Sequence, residues 1–512
     1  MESKRYVNVI GMVRLFLLFN LFTFLPLSLL AEDAIPLRPC RMGQYSAERA
    51  AVLAPQQPFR RGTDVNPYVG NRRQLVVLAA FQDRQFVDQM DIVMDKWDKM
   101  FNAENYQEDS FVGSVRDYFY DQSYGQFNLA FDLIYVQLPD SASKYRSTQS
   151  DDEYSQYMVD DIVDVLQTLD IDWRVYDWNG DGYVNQILII YAGMGMNAGG
   201  GSTTIWPHQW WLSKHLKNPA NQKEGCRGYR TIMQGDKEYR IDCYCCAQEV
   251  VNYSGIKTSF GTICHEYSHC FGFPDFYYNS GTKTVGEWDL MDYGNYGGAG
   301  FRPCGYSAHE RMLMGWITPV ELTGETTVSG MPSLCDEPQA YIIRNDAYPD
   351  ECYMIENRQQ RGWDESLPGN GIVIFHVDYD EAIWCSTVET PNSSSKKRYH
   401  IFPASNMTST MLSNLKRWPY PYADNDSLTN YSSPAATLNN ANTDGEMLMS
   451  KPVTKISVTD GLASFAFMAP PTTAIPEQKA LYGKTQVLYN LGPINIIRCE
   501  NGEVRKIFNV TK

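Results

Sequence analysis

Histidine is scarce in this sequence, with seven residues in 512. Two imidazoles at metal-ligand spacing are therefore rarely accidental. The sequence also lacks two paired CxxC units, which excludes a cysteine-based zinc knuckle. Beyond the N-terminal segment no stretch is apolar enough to span a bilayer, and there is no internal repeat or low-complexity tract. A metal site in this chain is therefore expected to use histidine and carboxylate ligands and not a set of paired cysteines.

An excess of positive charge is also missing, because the formal net charge is −16. An acidic surface repels phosphate backbones, so nucleic acid is excluded as a partner. Hydrophobic residues make up 43% of the chain and charged residues 20%, which is typical of a soluble globular protein. A chain of 512 residues exceeds one ordinary core and predicts two or three domains.

The N-terminus has the pattern of a targeting segment. A basic flank precedes an apolar run over 15–30, and Ala31 then stands before two acidic residues. This pattern predicts a cleaved signal peptide over 1–31, hence a secreted protein with no membrane span; an uncleaved anchor is the alternative. Residues 32–71 predict a leader or a short propeptide, and the pair Arg60-Arg61 within it is a candidate processing site. Twelve cysteines are consistent with an oxidising compartment and predict disulfides together with some buried thiols.

The order of apolar patterns predicts the domain organisation. Strand-like runs at 75–81 and 186–191 alternate with helical patterns, which indicates a mixed α/β (α+β) layer over 72–320. Short β-rich runs separated by polar turns follow and predict a β-sandwich-like domain over 321–468. The remaining predicted parts are a linker over 469–476 and a short β-prone tail over 477–512, which weakly resembles a sorting signal.

The motif His265-Glu266-x-x-His269 carries the strongest chemical signal. Residues four apart share one face of a helix, so both imidazoles can reach one Zn²⁺ at about 2.0–2.1 Å. Glu266 then projects beside the metal and can act as general base toward a water molecule that the metal acidifies. This chemistry is that of a zinc-dependent hydrolase.

The residues after this motif predict the rest of the zinc site. Asp275 follows His269 by six residues, with a glycine between them that can reverse the chain, so Asp275 is the favoured third ligand. Glu287, at the spacing used by peptidases with a distant glutamate ligand, is the alternative. Met291 matches the methionine turn that lies under the zinc of metzincin-type peptidases. Tyr293 is a candidate catalytic donor to the oxyanion of the tetrahedral intermediate.

Several blocks of the sequence together resemble a known family. They are the motif 265–277 and the segments 287–291, 113–119, 205–208, 305–308, 315–319 and 368–379. With these blocks, which extend over roughly 72–468, the chain resembles the M6 family of immune inhibitor A-type metallopeptidases. The resemblance implies a metzincin-like catalytic domain and secreted proteolysis of extracellular proteins or peptides. The region before the first block is short compared with family members that carry a full prodomain.

A second motif predicts a calcium site. Oxygen-bearing residues stand at the positions of a calcium loop, but the glutamate that closes an EF-hand is missing. The loop is therefore either a Ca²⁺ site completed by other ligands or an ion-free turn. The candidate ligands are Asp177, Asn179, Asp181, Tyr183 and Asn185.

The sequence thus predicts a secreted zinc-dependent endopeptidase with 72–320 as its catalytic domain. Two alternatives belong to other classes: an inactive binding protein or adhesin on a peptidase scaffold, and a zinc hydrolase acting on glycoprotein or other amide substrates. The intact Glu266 argues against the first alternative. The abundance of aromatic residues keeps the second open.

Overall fold

A computed structural model describes residues 66–147, 154–214, 229–251, 255–278, 280–386, 390–393 and 396–469, and three short strands further on. The predicted signal peptide, nearly all of the predicted leader and nearly all of the predicted linker lie outside the described residues. Those three predictions therefore stay predictions.

Seven α-helices lie in the described part of the chain. They are α1 (Met90–Asn102), α2 (Val115–Gln122), α3 (Ser155–Leu166), α4 (Phe260–Cys270), α5 (Ala308–Leu313), α6 (Glu381–Trp384) and α7 (Leu412–Leu415). Two begin at a capping box, in which a serine hydroxyl accepts from the third backbone N–H and an acidic side chain accepts from the serine N–H. These pairs are Ser114 with Asp117 in α2 and Ser307 with Glu310 in α5. Both boxes fix where the helix begins.

The strands of the first segment, in chain order, are β1 (Gly70–Ala80), β2 (Phe127–Gln137), β3 (Tyr183–Val184), β4 (Ile187–Met194), β5 (His208–Trp211), β6 (Arg230–Gln234), β7 (Lys237–Ile241) and β8 (Cys243–Val250). Those that follow are β9 (Val320–Glu321), β10 (Thr326–Met331), β11 (Tyr341–Arg344), β12 (Glu351–Arg358), β13 (Gly371–Asp378), β14 (Tyr399–Ile401), β15 (Val453–Thr459), β16 (Leu462–Phe467), β17 (Gln486–Asn490), β18 (Ile494–Arg498) and β19 (Val504–Phe508).

The central sheet of the first segment has the strand order β2-β1-β4-β8-β5. The first four strands are parallel, and β5 pairs antiparallel with β8 at one edge. The inner strands β1, β4 and β8 are almost entirely buried over their apolar residues, as expected for a parallel sheet covered on both faces. Helix α4 packs against β8. The predicted mixed α/β layer is confirmed, while the metzincin-like assignment stays a prediction.

Strands β17, β18 and β19 form one small sheet in that order, and the strands from β9 to β16 form two further sheets. One has the order β14-β13-β12-β11-β9 and the other β10-β16-β15. One set of buried side chains, including Ile343, Ile355 and Phe465, forms a core shared by the two sheets. The predicted β-rich character is present, and the sandwich-like arrangement stays a prediction.

The described residues bear on two predictions linked to secretion, the disulfides and the lack of a membrane span. No disulfide joins two of the nine cysteines in this part of the chain, so the expected disulfides are not found there. Within the same residues, no helix has the length and apolar character needed to cross a membrane.

Candidate metal centre

Helix α4 places the residues of the HExxH motif in the interior. Every side chain from Phe260 to His269 is buried. The helix ends at Cys270, and Gly272 follows with a φ of +99° in the left-handed region. Since glycine adopts this conformation without a steric penalty, the chain turns back toward the helix at this point.

This turn brings Asp275 against both histidines. Its Oδ1 lies 3.1 Å from Nε2 of His265 and 3.2 Å from Nε2 of His269. Two donors that share one tetrahedral zinc ion at about 2.0–2.1 Å would lie about 3.3 Å apart. Among the described residues, these three form the one group of three or more His, Cys, Asp or Glu side chains whose ligand atoms all lie within 4.8 Å of one another. The spacing fits a metal ion held by two imidazoles and one carboxylate.

Backbone carbonyls fix the orientation of both imidazoles. Nδ1 of His265 lies 2.8 Å from the carbonyl oxygen of Leu290, and Nδ1 of His269 lies 2.6 Å from that of Phe273. A carbonyl only accepts hydrogen bonds, so in each ring Nδ1 carries the proton and Nε2 keeps its lone pair. Both lone pairs therefore belong to the atoms that face Asp275. This is the arrangement in which neutral histidines bind a metal.

The predicted methionine turn contacts the site through backbone hydrogen bonds. Met291 is fully buried, and its carbonyl accepts from the N–H of Phe276 at 2.9 Å. The turn is shaped by Asp289, whose Oδ1 accepts from the N–H of Met291 at 2.8 Å. Leu290 lies between these two residues and supplies the carbonyl that orients His265. The turn thus contributes to the site through its backbone.

The structure separates the two candidates for the third ligand. Asp275 contacts the histidines, whereas Glu287 forms an ion pair with Lys283, four residues earlier in the sequence. Glu266 is buried on α4 between the two ligands in sequence. The geometry therefore favours Asp275 as ligand and is compatible with Glu266 as base.

The hydroxyl of Tyr293 donates to the carbonyl of Gly281 at 3.0 Å, and Lys283 lies over its ring. To stabilise an oxyanion, the hydroxyl would have to leave that carbonyl. The predicted catalytic role of Tyr293 therefore stays a prediction that requires a rotation of this side chain on substrate binding.

The carboxylates near the site have opposite electrostatic surroundings. Burial alone would raise the pKa of Asp275, but a cation beside the carboxyl outweighs burial: protonated His269 and His265 hold the pKa well below its usual range, and a metal ion bound by the neutral rings would act in the same direction. Burial instead raises the pKa of Asp289 to about 6 and that of Asp292 to about 7. Asp275 is thus the carboxylate whose surroundings favour the anion that a metal needs.

The candidate calcium loop has a closed turn geometry. The N–H of Gly182 donates to Oδ2 of Asp177 at 3.0 Å, and Lys237 Nζ lies 3.3 Å from the same oxygen. Asp181 and Asn185 accept backbone N–H groups of the loop, and Tyr183 begins β3. Oδ1 of Asp177 and Oδ1 of Asn179 are buried without a hydrogen-bond partner among the described residues.

Comparison with known proteins gives a consistent result. Residues 71–315 match the family model "Immune inhibitor A peptidase M6, catalytic domain". This segment belongs to the M6 peptidase family. Immune inhibitor A of Bacillus thuringiensis subsp. alesti is 25% identical over 289 residues, which cover 45% of this chain and 38% of that protein. The pre-pro-metalloprotease PrtV of Vibrio cholerae is 26% identical over 166 residues, 29% of this chain and 16% of that protein. The chain thus spans well under half the length of these relatives.

Membership in this metallopeptidase family implies a metal, and the M6 segment contains a donor set that fits one. Two imidazoles and one carboxylate would supply three ligands to a metal ion and would leave a further position for water or substrate. Nε2 of His269 has no hydrogen-bond partner among the described residues, although Asp275 is 3.2 Å away. A metal ion bound at this nitrogen would satisfy it.

Sequence reasoning did not find every contact of the site. The carbonyls of Leu290 and Phe273 carry no signature in the sequence, because every residue has the same backbone. Nor did it find Tyr399, which lies beyond the M6 segment and whose hydroxyl donates to Asp289 Oδ2 at 2.7 Å. A strand tyrosine so far along the chain gives no local pattern that would connect it to the site.

Proposed function

We propose that the protein is a secreted zinc-dependent endopeptidase that cleaves extracellular proteins or peptides. The observation that carries this proposal is the buried group of His265, His269 and Asp275 on one helix and turn of an M6 segment. The names of the relatives, a metalloprotease among them, support the same reaction class. Zinc fits two imidazoles and one carboxylate better than magnesium or calcium, which prefer oxygen donors.

The chain's own residues have distinct roles in this proposal. His265, His269 and Asp275 would hold the zinc ion, which when bound supplies Lewis-acid chemistry toward water and the scissile carbonyl. Glu266 accepts a proton from the attacking water and later donates it to the leaving amine nitrogen. Met291 packs in the turn under the site, and Tyr293 is the candidate donor to the oxyanion after its hydroxyl leaves Gly281.

The first test compares wild type with Glu266→Gln for zinc content and casein hydrolysis. We expect about one zinc per chain in both proteins, and a loss of hydrolysis by about 10²–10⁴-fold in the variant, because the general base is removed while the ligands remain. Wild type that binds zinc but cleaves no protein would point instead to a binding protein or to a non-protein substrate.

Two further variants control this experiment. Asp275→Asn replaces an anionic ligand, so we expect it to lose zinc. Glu287→Gln removes a carboxylate that pairs with Lys283, so we expect it to keep zinc and hydrolysis. The reverse pattern would identify Glu287 as the third ligand and would contradict the geometry.

We also propose that the loop containing Asp177, Asn179, Asp181, Tyr183 and Asn185 binds Ca²⁺. The two buried, unpartnered oxygens of Asp177 and Asn179 support this proposal, because both are of the type that calcium prefers. Lys237 beside Asp177 would have to move for the ion to enter. In this role calcium braces the loop that leads into β4.

A further inference from the structure

Two hydrogen bonds, linked by the backbone between Asp289 and Leu290, connect the metal group to a strand outside the M6 segment. His265 Nδ1 donates to the carbonyl of Leu290 at 2.8 Å. Asp289, directly before Leu290, uses both carboxylate oxygens: Oδ1 accepts the N–H of Met291 at 2.8 Å, and Oδ2 accepts the hydroxyl of Tyr399 at 2.7 Å. Tyr399 therefore holds the carboxylate that shapes the turn behind His265.

The ring of Tyr399 makes a second contact with the site. It stacks on Phe276 with ring centroids 3.8 Å apart and an angle of 14° between the planes. Phe276 directly follows Asp275, and its N–H donates to the carbonyl of Met291 at 2.9 Å. One side chain thus contacts both segments that converge on the metal group, the one carrying the carboxylate ligand and the one orienting an imidazole.

Tyr399 is itself held rigidly. It begins β14, pairs with Val377 of β13 and is completely buried. Asn392 accepts its N–H at 3.0 Å and donates to its carbonyl at 2.7 Å and to that of Phe276 at 2.8 Å. Burial also raises the pKa of the Tyr399 hydroxyl well above its usual value, so the group stays a donor. A rigid buried donor can transmit a fixed position to its acceptor.

We propose that Tyr399, which lies beyond the family catalytic segment ending at residue 315, is a positioning residue for the metal centre. It acts through Asp289 and Leu290 on His265, and through Phe276 on Asp275. Residues that orient metal ligands in this way typically change metal affinity by about 10- to 100-fold when they are replaced. The inference rests on the proposed zinc function, and it adds that the β-sheet containing β14 is part of the site.

The test is the Tyr399→Phe variant of the full chain, which removes one hydroxyl and keeps the stack on Phe276. We expect Zn²⁺ affinity, measured by competition with a chelator, to fall by about 10-fold or more, since Asp289 loses its donor and the Leu290 carbonyl is no longer fixed. With Co²⁺ in place of Zn²⁺, the visible absorption bands should shift or broaden, because the ligand geometry becomes less uniform.

Tyr353→Phe is the matched control. Tyr353 is also a buried strand tyrosine, in β12, and its hydroxyl donates to the carbonyl of Thr437 at 2.6 Å. We expect this variant to lose thermal stability to a similar degree while its metal affinity and Co²⁺ spectrum stay those of wild type. If Tyr399→Phe folds less stably, Phe276→Leu gives a second readout, because it removes the stack and leaves the hydroxyl bond to Asp289.

Two outcomes separate this inference from the proposed function. Equal metal affinity and identical Co²⁺ spectra in Tyr399→Phe, Phe276→Leu and Tyr353→Phe would show that Tyr399 is only structural and would overturn the inference. Wild type that binds zinc but cleaves no protein would overturn the proposed function alone, and the metal-affinity comparison would still decide the role of Tyr399.

Discussion

The two carboxylate oxygens of Asp177 have different surroundings. Oδ2 accepts from Gly182 and faces Lys237, whereas Oδ1 is buried without a partner among the described residues. A buried oxygen that lacks a donor costs about 1–3 kcal/mol. Asn179, two residues on, has a side-chain oxygen in the same state. A calcium ion that binds both oxygens would offset this cost.

Calcium should therefore raise the midpoint of thermal unfolding of wild type. At a free Ca²⁺ concentration about 100 times the dissociation constant, the gain is about 2.7 kcal/mol. Asp177→Asn should lose most of this gain, because a neutral amide replaces the anionic ligand. Asp236→Asn, an exposed carboxylate in the neighbouring β6–β7 turn, should keep it. An equal response of wild type and Asp177→Asn would mean that the loop is an ion-free turn.

Single residues of the metal group were predictable where the spacing is local. His265, Glu266 and His269 follow from helical geometry, and Asp275 follows from the glycine that reverses the chain. The sequence left Asp275 and Glu287 open as the third ligand, because both spacings occur in zinc peptidases. In the folded chain Asp275 lies beside the histidines and Glu287 pairs with Lys283, so Asp275 stays the favoured prediction.

Helix α4 approaches the turn at Gly294–Gly300 so closely that a side chain would not fit between them. A Cβ on Gly261 would lie 1.8 Å from the carbonyl oxygen of Asn295, a backbone atom that cannot rotate away. The first turn of the helix is therefore placed by backbone contact. Since the same helix carries His265 and His269, this contact also sets the position of both imidazoles.

Gly261→Ala should consequently destabilise the protein and weaken zinc binding, although glycine to alanine in a helix interior ordinarily stabilises by about 0.5–1 kcal/mol. Overpacking of this kind typically costs about 1–3 kcal/mol. Urea unfolding and chelator competition measure the two effects. Gly324→Ala is the control, because a Cβ there meets no atom within 4 Å. A neutral or stabilising Gly261→Ala would show that α4 can shift without loss.

Several elements were predictable from their apolar patterns, and others were not. The patterns near 90–101, 115–120 and 154–169 correspond to α1, α2 and α3, and the apolar runs at 75–81 and 186–191 correspond to β1 and β4. Strands β5 and β8 were missed. The first is four residues of His, Gln and Trp, and the second is rich in cysteine, so neither has the β-branched composition of a typical buried strand.

The parts of the chain before and after residue 320 both contribute buried side chains to one of the hydrophobic cores. The hydrophobic cluster around β1, β4 and α4 also contains buried side chains from the later part of the chain, among them Met354 of β12, Phe375 of β13 and Trp384 of α6. The sequence predicted two domains separated near residue 320, and that boundary stays a prediction. The pattern could not show the shared core, because periodicity reports which residues are buried and not what covers them.

A buried ion network crosses between these two parts. Arg358 donates to Glu356 at 2.9 Å, to Asp364 at 2.8 Å and to the carbonyl of Gly305 at 3.0 Å, and the three charged side chains are fully buried. The two carboxylates in turn accept backbone N–H groups of Gly305 and Ala308 in the M6 segment. The carboxylates of β12 and of the segment after it thereby anchor the backbone at the start of α5 through hydrogen bonds.

Arg358→Met should therefore destabilise the whole protein, and not the later sheets alone. Removing the guanidinium leaves two buried carboxylates without their cation, which costs about 3–5 kcal/mol. Calorimetry should show one unfolding transition, shifted to lower temperature, with zinc released in the same step. Arg361→Met removes an exposed pair with Asp336 and should cost less than about 1 kcal/mol. Two separate transitions, with only one shifted by Arg358→Met, would mean that the segments before and after residue 320 fold independently despite their shared core.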